Sequence, residues 1–292
     1  MYSSPLRYPG GKAKLANFME LIVNRLDHPV DTYIEPFAGG AGIAIELLNN
    51  NFVNEVVIND FDKGIYSFWR AILMQTGRFI NDIENVPLTM EEWERQHAIS
   101  MNMNKKYSYE LGFATFYMNR TNRSGIIKGG VIGGSNQLGK WKLDARFNRS
   151  NLIKRINDIA KLKNRIHLYN KDIKSFILNY LPNFERNALI YFDPPYYKKG
   201  KQLYLNFFSH EDHVRIKNLI NESVNCDWII TYDDTPEIIS IYDGFVRRKF
   251  DLTYSASTRR NASELIIFKN EEMIPKKIDL KLKGIDINLR EI

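Results

Sequence analysis

Cysteine is all but missing from these 292 residues, with Cys226 standing alone. A disulfide framework and a cysteine-built zinc centre are thereby excluded, and its apolar surroundings make a core thiol the expected role. No apolar run approaches the roughly 18 residues that suggest a bilayer span. The opening MYSSPLRYPGGK has no signal-peptide core either, so a cytoplasmic protein with no membrane partner is expected. Two nucleotide fingerprints are also missing. Gly10, Gly11 and Lys12 lack the spacer and the following Ser or Thr of a phosphate loop, and the glycines at 39, 40 and 42 do not form G-x-G-x-x-G. A P-loop enzyme is excluded and a dinucleotide oxidoreductase disfavoured. His210 and His213 have no third ligand nearby and do not fit H-E-x-x-H, so no metal is expected and both are read as surface or capping residues.

Acidic residues are scarce in one region above all. The net charge is +7, but the segment from His97 to Lys171 holds 15 Lys or Arg against 3 Asp or Glu, leaving −5 for the remainder. A basic middle of this strength fits a polyanion footprint better than an ordinary solvated face. With 44% hydrophobic and 26% charged residues the chain is otherwise an ordinary globular one, long enough for a large α/β domain with an inserted module.

What is present is organised around ALIYFDPPYY, Ala188 to Tyr197. An apolar, β-branched and aromatic run reads as a buried strand, ended by Asp193 and by two prolines that cannot continue a ladder. Pro194 and Pro195 stiffen the exit, so a carboxylate, two carbonyls and the rings of Tyr196 and Tyr197 are expected at one opening. Such a set suits a planar base with an exocyclic amine, whose hydrogens need acceptors and whose ring needs a stacking face. Taken alone, the same residues equally describe a rigid strand exit.

Earlier in the chain, TYIEPFAGGAGIAIELL reads as a strand, a glycine turn and a helix, the opening unit of a nucleotide-binding α/β sheet. A second strand, EVVIND, ends at Asp60, 18 residues after Gly42, where an acid can accept from ribose hydroxyls. An adenosyl ligand without a pyrophosphate fits this unit better than a dinucleotide. Residues 62–76 read as an amphipathic helix, and beyond Gly77 the alternation lapses for roughly 85 residues. Helical patterns there lead into NRTNRSGIIKGGVIGGSNQLGKWKLDARFNRSN, where glycines and bases interleave with Trp141 and Phe147. Long loops on a rigid scaffold commonly carry recognition. Alternation resumes with a basic helix, a strand RIHLYN closed by Asp172, and, beyond Asp193, a helix opened by the capping box of Ser209 and Asp212. CDWIITYDD, RRKFDLTYS and ELIIF then give the sheet an antiparallel end, and the tail 271–292 has no readable role.

Together and in this order, RYPGGK, EPFAGGAG, IND and DPPYY resemble the Dam-type DNA adenine methyltransferases, S-adenosylmethionine-dependent enzymes acting on the adenine 6-amino group. The likeness runs from Leu6 to near Lys269. It implies an α/β, Rossmann-like class I methyltransferase fold, with a doubly wound, seven-stranded, mostly parallel sheet and an inserted helical and loop module for target recognition. On that reading residues 1–76 and 165–270 are the catalytic domain, 77–164 the inserted module and 271–292 a tail. The implied cofactor is S-adenosylmethionine, held by Tyr8, Lys12, Glu35, Pro36, Phe37 and the turn Gly39, Gly40 and Gly42, with Asp60 at the ribose, Asp172 near the cofactor adenine and Asp193 also beside the cofactor. Asp193, Pro194, Pro195 and Tyr196 form the implied catalytic pocket.

Double-stranded DNA is the implied partner, contacted through Asn119, Arg120, Arg123, Ser124, Lys128, Lys140, Lys142, Arg146 and Arg149, and a companion restriction endonuclease is a further one. Residues 129–139 follow no family pattern, which leaves the recognition sequence open. The implied mechanism sets the 6-amino group against the Asp193 carboxylate and the Pro194 carbonyl, so that its nitrogen turns tetrahedral and Asp193 stabilises the positive charge that develops. The base leaves the duplex at roughly a few kcal/mol, offset in part by stacking on Tyr196. The open alternatives are the same chemistry on RNA adenine or on the cytosine 4-amino group, and an inactive DNA-binding protein on this scaffold.

Overall fold

Strands that are apolar at consecutive positions can be buried only in a sheet covered by helices on both faces. The computed structural model describes residues 4–7, 15–101, 106–198, 208–255 and 259–292, without side chains for 252–255 and 259–262. Its strands are β1 (Thr32–Glu35), β2 (Glu55–Asn59), β3 (Ile166–Tyr169), β4 (Ala188–Phe192), β5 (Asp227–Asp233), β6 (Val246–Ser255) and β7 (Arg259–Phe268). They form one seven-stranded sheet in the order β3-β2-β1-β4-β5-β7-β6. The first five are parallel, and β7 runs antiparallel to both β5 and β6, which is the doubly wound arrangement with an antiparallel end.

Side chains divide between the faces with a period of two. Tyr33, Val56, Ile58, Leu189, Tyr191 and Ile229 pack with one set of helices: α1 (Ala16–Val23), α2 (Gly42–Asn49), α3 (Lys63–Met74), α4 (Thr76–Asn85), α5 (Met90–Met101), α6 (Tyr109–Thr121) and α7 (Arg149–Lys161). Ile34, Val57, Ile190, Phe192, Ile230 and Tyr232 pack with α8 (Ile173–Asn179), α9 (His210–Ser223) and α10 (Pro236–Ile241).

The helices between β2 and β3 share the core of the sheet. Phe68 of α3 lies 5.8 Å from Phe79 and 5.9 Å from Phe116, ring centre to ring centre, and Phe147 closes on Phe116 at 5.6 Å. Gly112 lets α6 lie close against α3, since a Cβ there would stand 2.5 Å from the Ser67 carbonyl oxygen. The loops carrying Arg123 to Arg146 therefore spring from a packed scaffold.

The tail, unreadable as sequence, docks against the sheet domain. Its helix α11 (Lys277–Leu282) rests on α1 with Leu280, Ile285 and Ile287 buried, and Arg25 pairs with Asp279. Arg290 exchanges two backbone hydrogen bonds with Lys249 at 2.8 Å and grips Asp251 with both guanidinium arms at 2.7 Å. At that point the outer edge of β6 is occupied, a common protection of an edge strand. Among the described residues no helix is long and apolar enough to cross a membrane.

Candidate active site

Ile34 of β1 lies opposite Ile190 of β4, so the glycine turn after Glu35 and the carboxylate after Phe192 leave the sheet at the same edge. Strand order diverges here, toward β2 and β3 on one side and β4 and β5 on the other. Open α/β sheets form their ligand crevice at this kind of switch point.

The turn is held from several directions. Glu35 is 5% exposed and accepts from Ala44 N–H at 3.0 Å, which caps α2 from below. Gly39, at φ 47°, and Ala41, at φ 44°, take left-handed backbone. Gly39 N–H donates to Asp60 Oδ2 at 2.8 Å, and the Gly39 carbonyl accepts from Trp69 Nε1 at 2.9 Å. Asp60 Oδ1 accepts from Asp62 N–H at 2.8 Å. Both Asp60 oxygens thus serve the backbone, a task absent from the sequence expectation, although each keeps a second lone pair for a hydroxyl donor. Burial, and then the Asp62 charge, push its carboxyl up to about 7 against the lowering pull of those two amides.

Asn59, which sequence reasoning missed, joins three strand ends. Its Nδ2 donates to the carbonyls of Pro36 and Lys171 at 3.0 Å each, and its Oδ1 accepts from Lys171 N–H at 2.9 Å. Phe37 packs edge-on to Phe208 at 6.0 Å. Asp172 stands at the end of β3, exposed, and caps α8 by accepting from Ser175 N–H at 2.9 Å. Tyr8 and Lys12 lie outside the described residues.

At the neighbouring strand end, Thr231 of β5 donates to Asp193 Oδ1 at 3.2 Å. Thr231 Oγ1 lies 2.7 Å from the Tyr191 hydroxyl, so Tyr191, Thr231 and Asp193 form a relay that fixes the carboxylate. Burial and the nearby Asp193 raise the Tyr191 hydroxyl well above its usual value, and burial with Glu35 and Asp193 does the same to Tyr33. Asp233 closes the turn beyond the prolines, accepting from Tyr197 N–H and Lys198 N–H at 2.9 Å each. Pro194 is buried and Pro195 half-buried.

Tyr196 corrects the expectation of an open stacking face. It is 6% exposed, and its hydroxyl donates to Glu264, itself 1% exposed, at 2.7 Å. The ring is built into the wall of the site and anchored from β7. Thr231, Asp233 and Glu264 were missed because their partners come from strands far apart in sequence. ITYDD at a strand end hinted at Thr231 and Asp233, and nothing local marked Glu264.

His213 is also interior, against expectation. It is fully buried, 3.1 Å from the Tyr232 hydroxyl and packed on Tyr197, and burial pushes it down to about 4. His210, by contrast, is exposed in the first turn of α9 behind the capping box of Ser209 and Asp212. Cys226 is largely buried and pushed up to about 12 by desolvation, as a core thiol should be. Among the described residues no three His, Cys, Asp or Glu side chains gather as metal ligands.

The residues aimed at DNA divide into two groups. Arg123, Ser124, Lys128, Lys140, Lys142 and Arg146 are exposed on the loops after α6. Ser124 takes left-handed backbone at φ 56°, and Gln137 braces the loop by donating to Ile132 and Gly134 and accepting from Leu143 N–H. Leu138, 84% exposed, and Trp141, 62% exposed, stand on the same loop and were not among the residues the sequence aimed at DNA. Asn119 and Arg120, 1% and 7% exposed, are interior, which overturns their reading as direct DNA contacts. Arg149 is half-buried, and its guanidinium donates to the carbonyls of Ile83 and Val86.

The chain is similar in sequence to known methyltransferases. Type II methyltransferase M.MjaIII of Methanocaldococcus jannaschii is 24% identical over 229 residues, which are 72% of this chain and 76% of that protein. Type II methyltransferase M.CviBI of Paramecium bursaria Chlorella virus NC1A is 24% identical over 259 residues, 85% of this chain and 90% of that one. Among solved structures, the rRNA methyltransferase aviRa of Streptomyces viridochromogenes superposes with a TM-score of 0.40 at 10% identity, over 91% of this chain and 88% of the other. Residues 8–256 match the family of D12 class N6 adenine-specific DNA methyltransferases, and the chain belongs to that family.

Proposed function

We propose that this chain methylates the 6-amino group of an adenine flipped out of double-stranded DNA at a specific site, with Asp193 as the catalytic carboxylate. The observation that carries the reading is the shared edge of β1 and β4, where the glycine turn and Asp193 emerge side by side. Bound S-adenosylmethionine supplies the electrophilic methyl group. The residues present suit it: a glycine turn at a helix N-terminus admits close approach, and Asp60 retains acceptor capacity for ribose hydroxyls. Glu35, Pro36 and Phe37 shape the entry to that turn, and Asp172 lies two strands away at the same edge.

Asp193, held by Thr231, accepts a hydrogen from the adenine amine, and the Pro194 carbonyl accepts the other. Both favour a nitrogen with its lone pair free of the ring. As that nitrogen gains charge, the Asp193 carboxylate stabilises it without having to reorient. Tyr196 and Pro195 form the wall against which the base rests. Arg123, Ser124, Lys128, Lys140, Lys142 and Arg146 face the duplex, where each neutralised phosphate adds salt-dependent affinity. The cytoplasm, and a restriction endonuclease reading the same sequence, complete the proposed setting. The Type II names of the relatives support that partner.

The test is incubation with methyl-labelled S-adenosylmethionine and, in separate reactions, unmethylated duplex DNA or RNA, followed by nucleoside analysis. Labelled N6-methyladenine is expected. Label appearing in RNA or in cytosine, and not in DNA adenine, overturns the proposal.

A further inference from the structure

Asn119 and Arg120, which the sequence aimed at DNA and the fold buries, join Arg155 in a hydrogen-bonded line leading toward the glycine turn. Asn119 brackets Arg7 as a neighbouring strand would: Oδ1 accepts from Arg7 N–H at 2.7 Å, and Nδ2 donates to the Arg7 carbonyl at 2.7 Å and to Gly125 at 2.9 Å. Arg120 donates to the Pro5 carbonyl, and Arg155 of α7 donates to the Ser4 carbonyl at 2.9 Å. Ser4 Oγ donates in turn to the Gly40 carbonyl and accepts from Leu6 N–H at 3.2 Å. Residues 4–7 are thus held by the inserted helices on one side and hold the glycine turn on the other.

The charge of these groups makes a purely space-filling role a poor account. No carboxylate among the described residues pairs with Arg120 or Arg155, and Arg120 is further burdened by the charges of Arg155 and Arg7 beside it. Burial pushes its guanidinium down to about 9. An apolar side chain would fill the same space without that penalty. What a guanidinium adds is a set of fixed donors for the carbonyls of an irregular segment, which would otherwise be buried unpaired. Gly125 reinforces the contact: at φ 78° it lies so close to Arg7 that a Cβ would stand 2.5 Å from the Arg7 carbonyl oxygen.

We propose that Asn119, Arg120 and Arg155 are positioning residues for the cofactor, acting through residues 4–7 and Ser4 on the Gly40 carbonyl and tying that turn to the loop that meets DNA. The inference rests on the reading of the turn as cofactor site and of the loop as DNA face. Cutting the latch then weakens the cofactor although none of the three touches it. By linkage, the duplex and the cofactor strengthen each other's binding through the same segment.

The experiment is calorimetric titration of S-adenosylhomocysteine into the full chain, with and without saturating unmethylated duplex, alongside steady-state kinetics. The chains compared are wild type, Ser4→Ala, Asn119→Ala and Arg123→Ala. Ser4→Ala and Asn119→Ala are expected to weaken S-adenosylhomocysteine about tenfold, the size of one or two lost hydrogen bonds, and to raise KM for S-adenosylmethionine more than they lower kcat. Arg123→Ala, exposed on the same loop, should weaken the duplex and keep S-adenosylhomocysteine within about twofold of wild type. The enhancement by duplex should vanish in Ser4→Ala. Unchanged S-adenosylhomocysteine affinity in both latch variants overturns the proposal, as does an Asn119→Ala that loses only duplex affinity. Where Asn119→Ala fails to fold, Ser4→Ala decides, since it removes one hydroxyl from a small side chain. A wild type that binds neither S-adenosylhomocysteine nor duplex overturns the underlying functional reading as well, a result distinct from an active wild type with indifferent variants.

Discussion

At the sheet edge the acids are committed to the protein itself, Glu35 to Ala44, Asp60 to Gly39 and Asp62, and Asp233 to Tyr197 and Lys198. On the loops after α6, Lys128, Lys140 and Arg146 stand in solvent. On the proposed function the two regions answer different physical demands. A site that transfers one carbon between two ligands needs its atoms fixed to within a fraction of an ångström, and hydrogen bonds to backbone achieve that. A surface that meets a polyanion gains from long, mobile cations whose effect is carried by counterion release. Substitutions should therefore act sharply on rate in the first region and gradually on salt-dependent affinity in the second.

The largest effect is expected at Asp193. Asp193→Ala should lower the single-turnover methylation rate by about a thousandfold or more, while S-adenosylhomocysteine affinity stays within about threefold. Full activity in that variant would remove the carboxylate from the mechanism. Next comes Tyr196, where Ala should lose about a hundredfold by opening the wall of the site and Phe about tenfold by stripping Glu264 of a donor. Equal losses in Ala and Phe would assign the whole role to the hydroxyl and none to the ring.

On the loop the expected changes are smaller and of another kind. Lys140→Ala should reduce the slope of log affinity against log salt by about 1 and leave thermal stability unchanged. Arg120→Ala should leave that slope as in wild type, because a guanidinium 7% exposed and bonded to Pro5 neutralises no phosphate. A slope change in Arg120→Ala and none in Lys140→Ala would invert the contrast drawn between the two regions.

Most of the scaffold was legible in the sequence because period and punctuation record it locally. ALIYF stops at Asp193, EVVIN stops before Asp60, and Ser209 with Asp212 opens a helix as a capping box. The site was legible only as far as residue type and strand end could place it. Asn119, Arg120 and Arg149 look like neighbours of Arg123 in a basic stretch, yet their partners, Arg7, Pro5 and Ile83, lie 112, 115 and 66 positions away. Thr231, Asp233 and Glu264 escaped notice for the same reason. Each becomes functional only through a strand pairing, and no local pattern encodes which strand is next to which.

The smallest effect expected is at Asp60, and it probes how strictly the sheet edge is built. Its carboxyl lies at about 7 in the fold against an ordinary value of 3.8, so between those values the folded chain holds a proton that the unfolded chain has released. Stability from this group is therefore fully present below the ordinary value and is lost as pH rises through about 7. Asp60→Asn cannot titrate and presents one oxygen where wild type presents two. Urea unfolding of both chains between pH 5 and pH 8, on the order of the window just given, should show wild type losing ground to the variant as pH rises, by on the order of 1 kcal/mol once partial solvent access is allowed for. A difference that is flat, or that moves toward wild type, would mean that the amides of Gly39 and Asp62 outweigh desolvation. Asp60 would then be an ionised anchor for the turn, and the contrast between edge and loop would be sharper still.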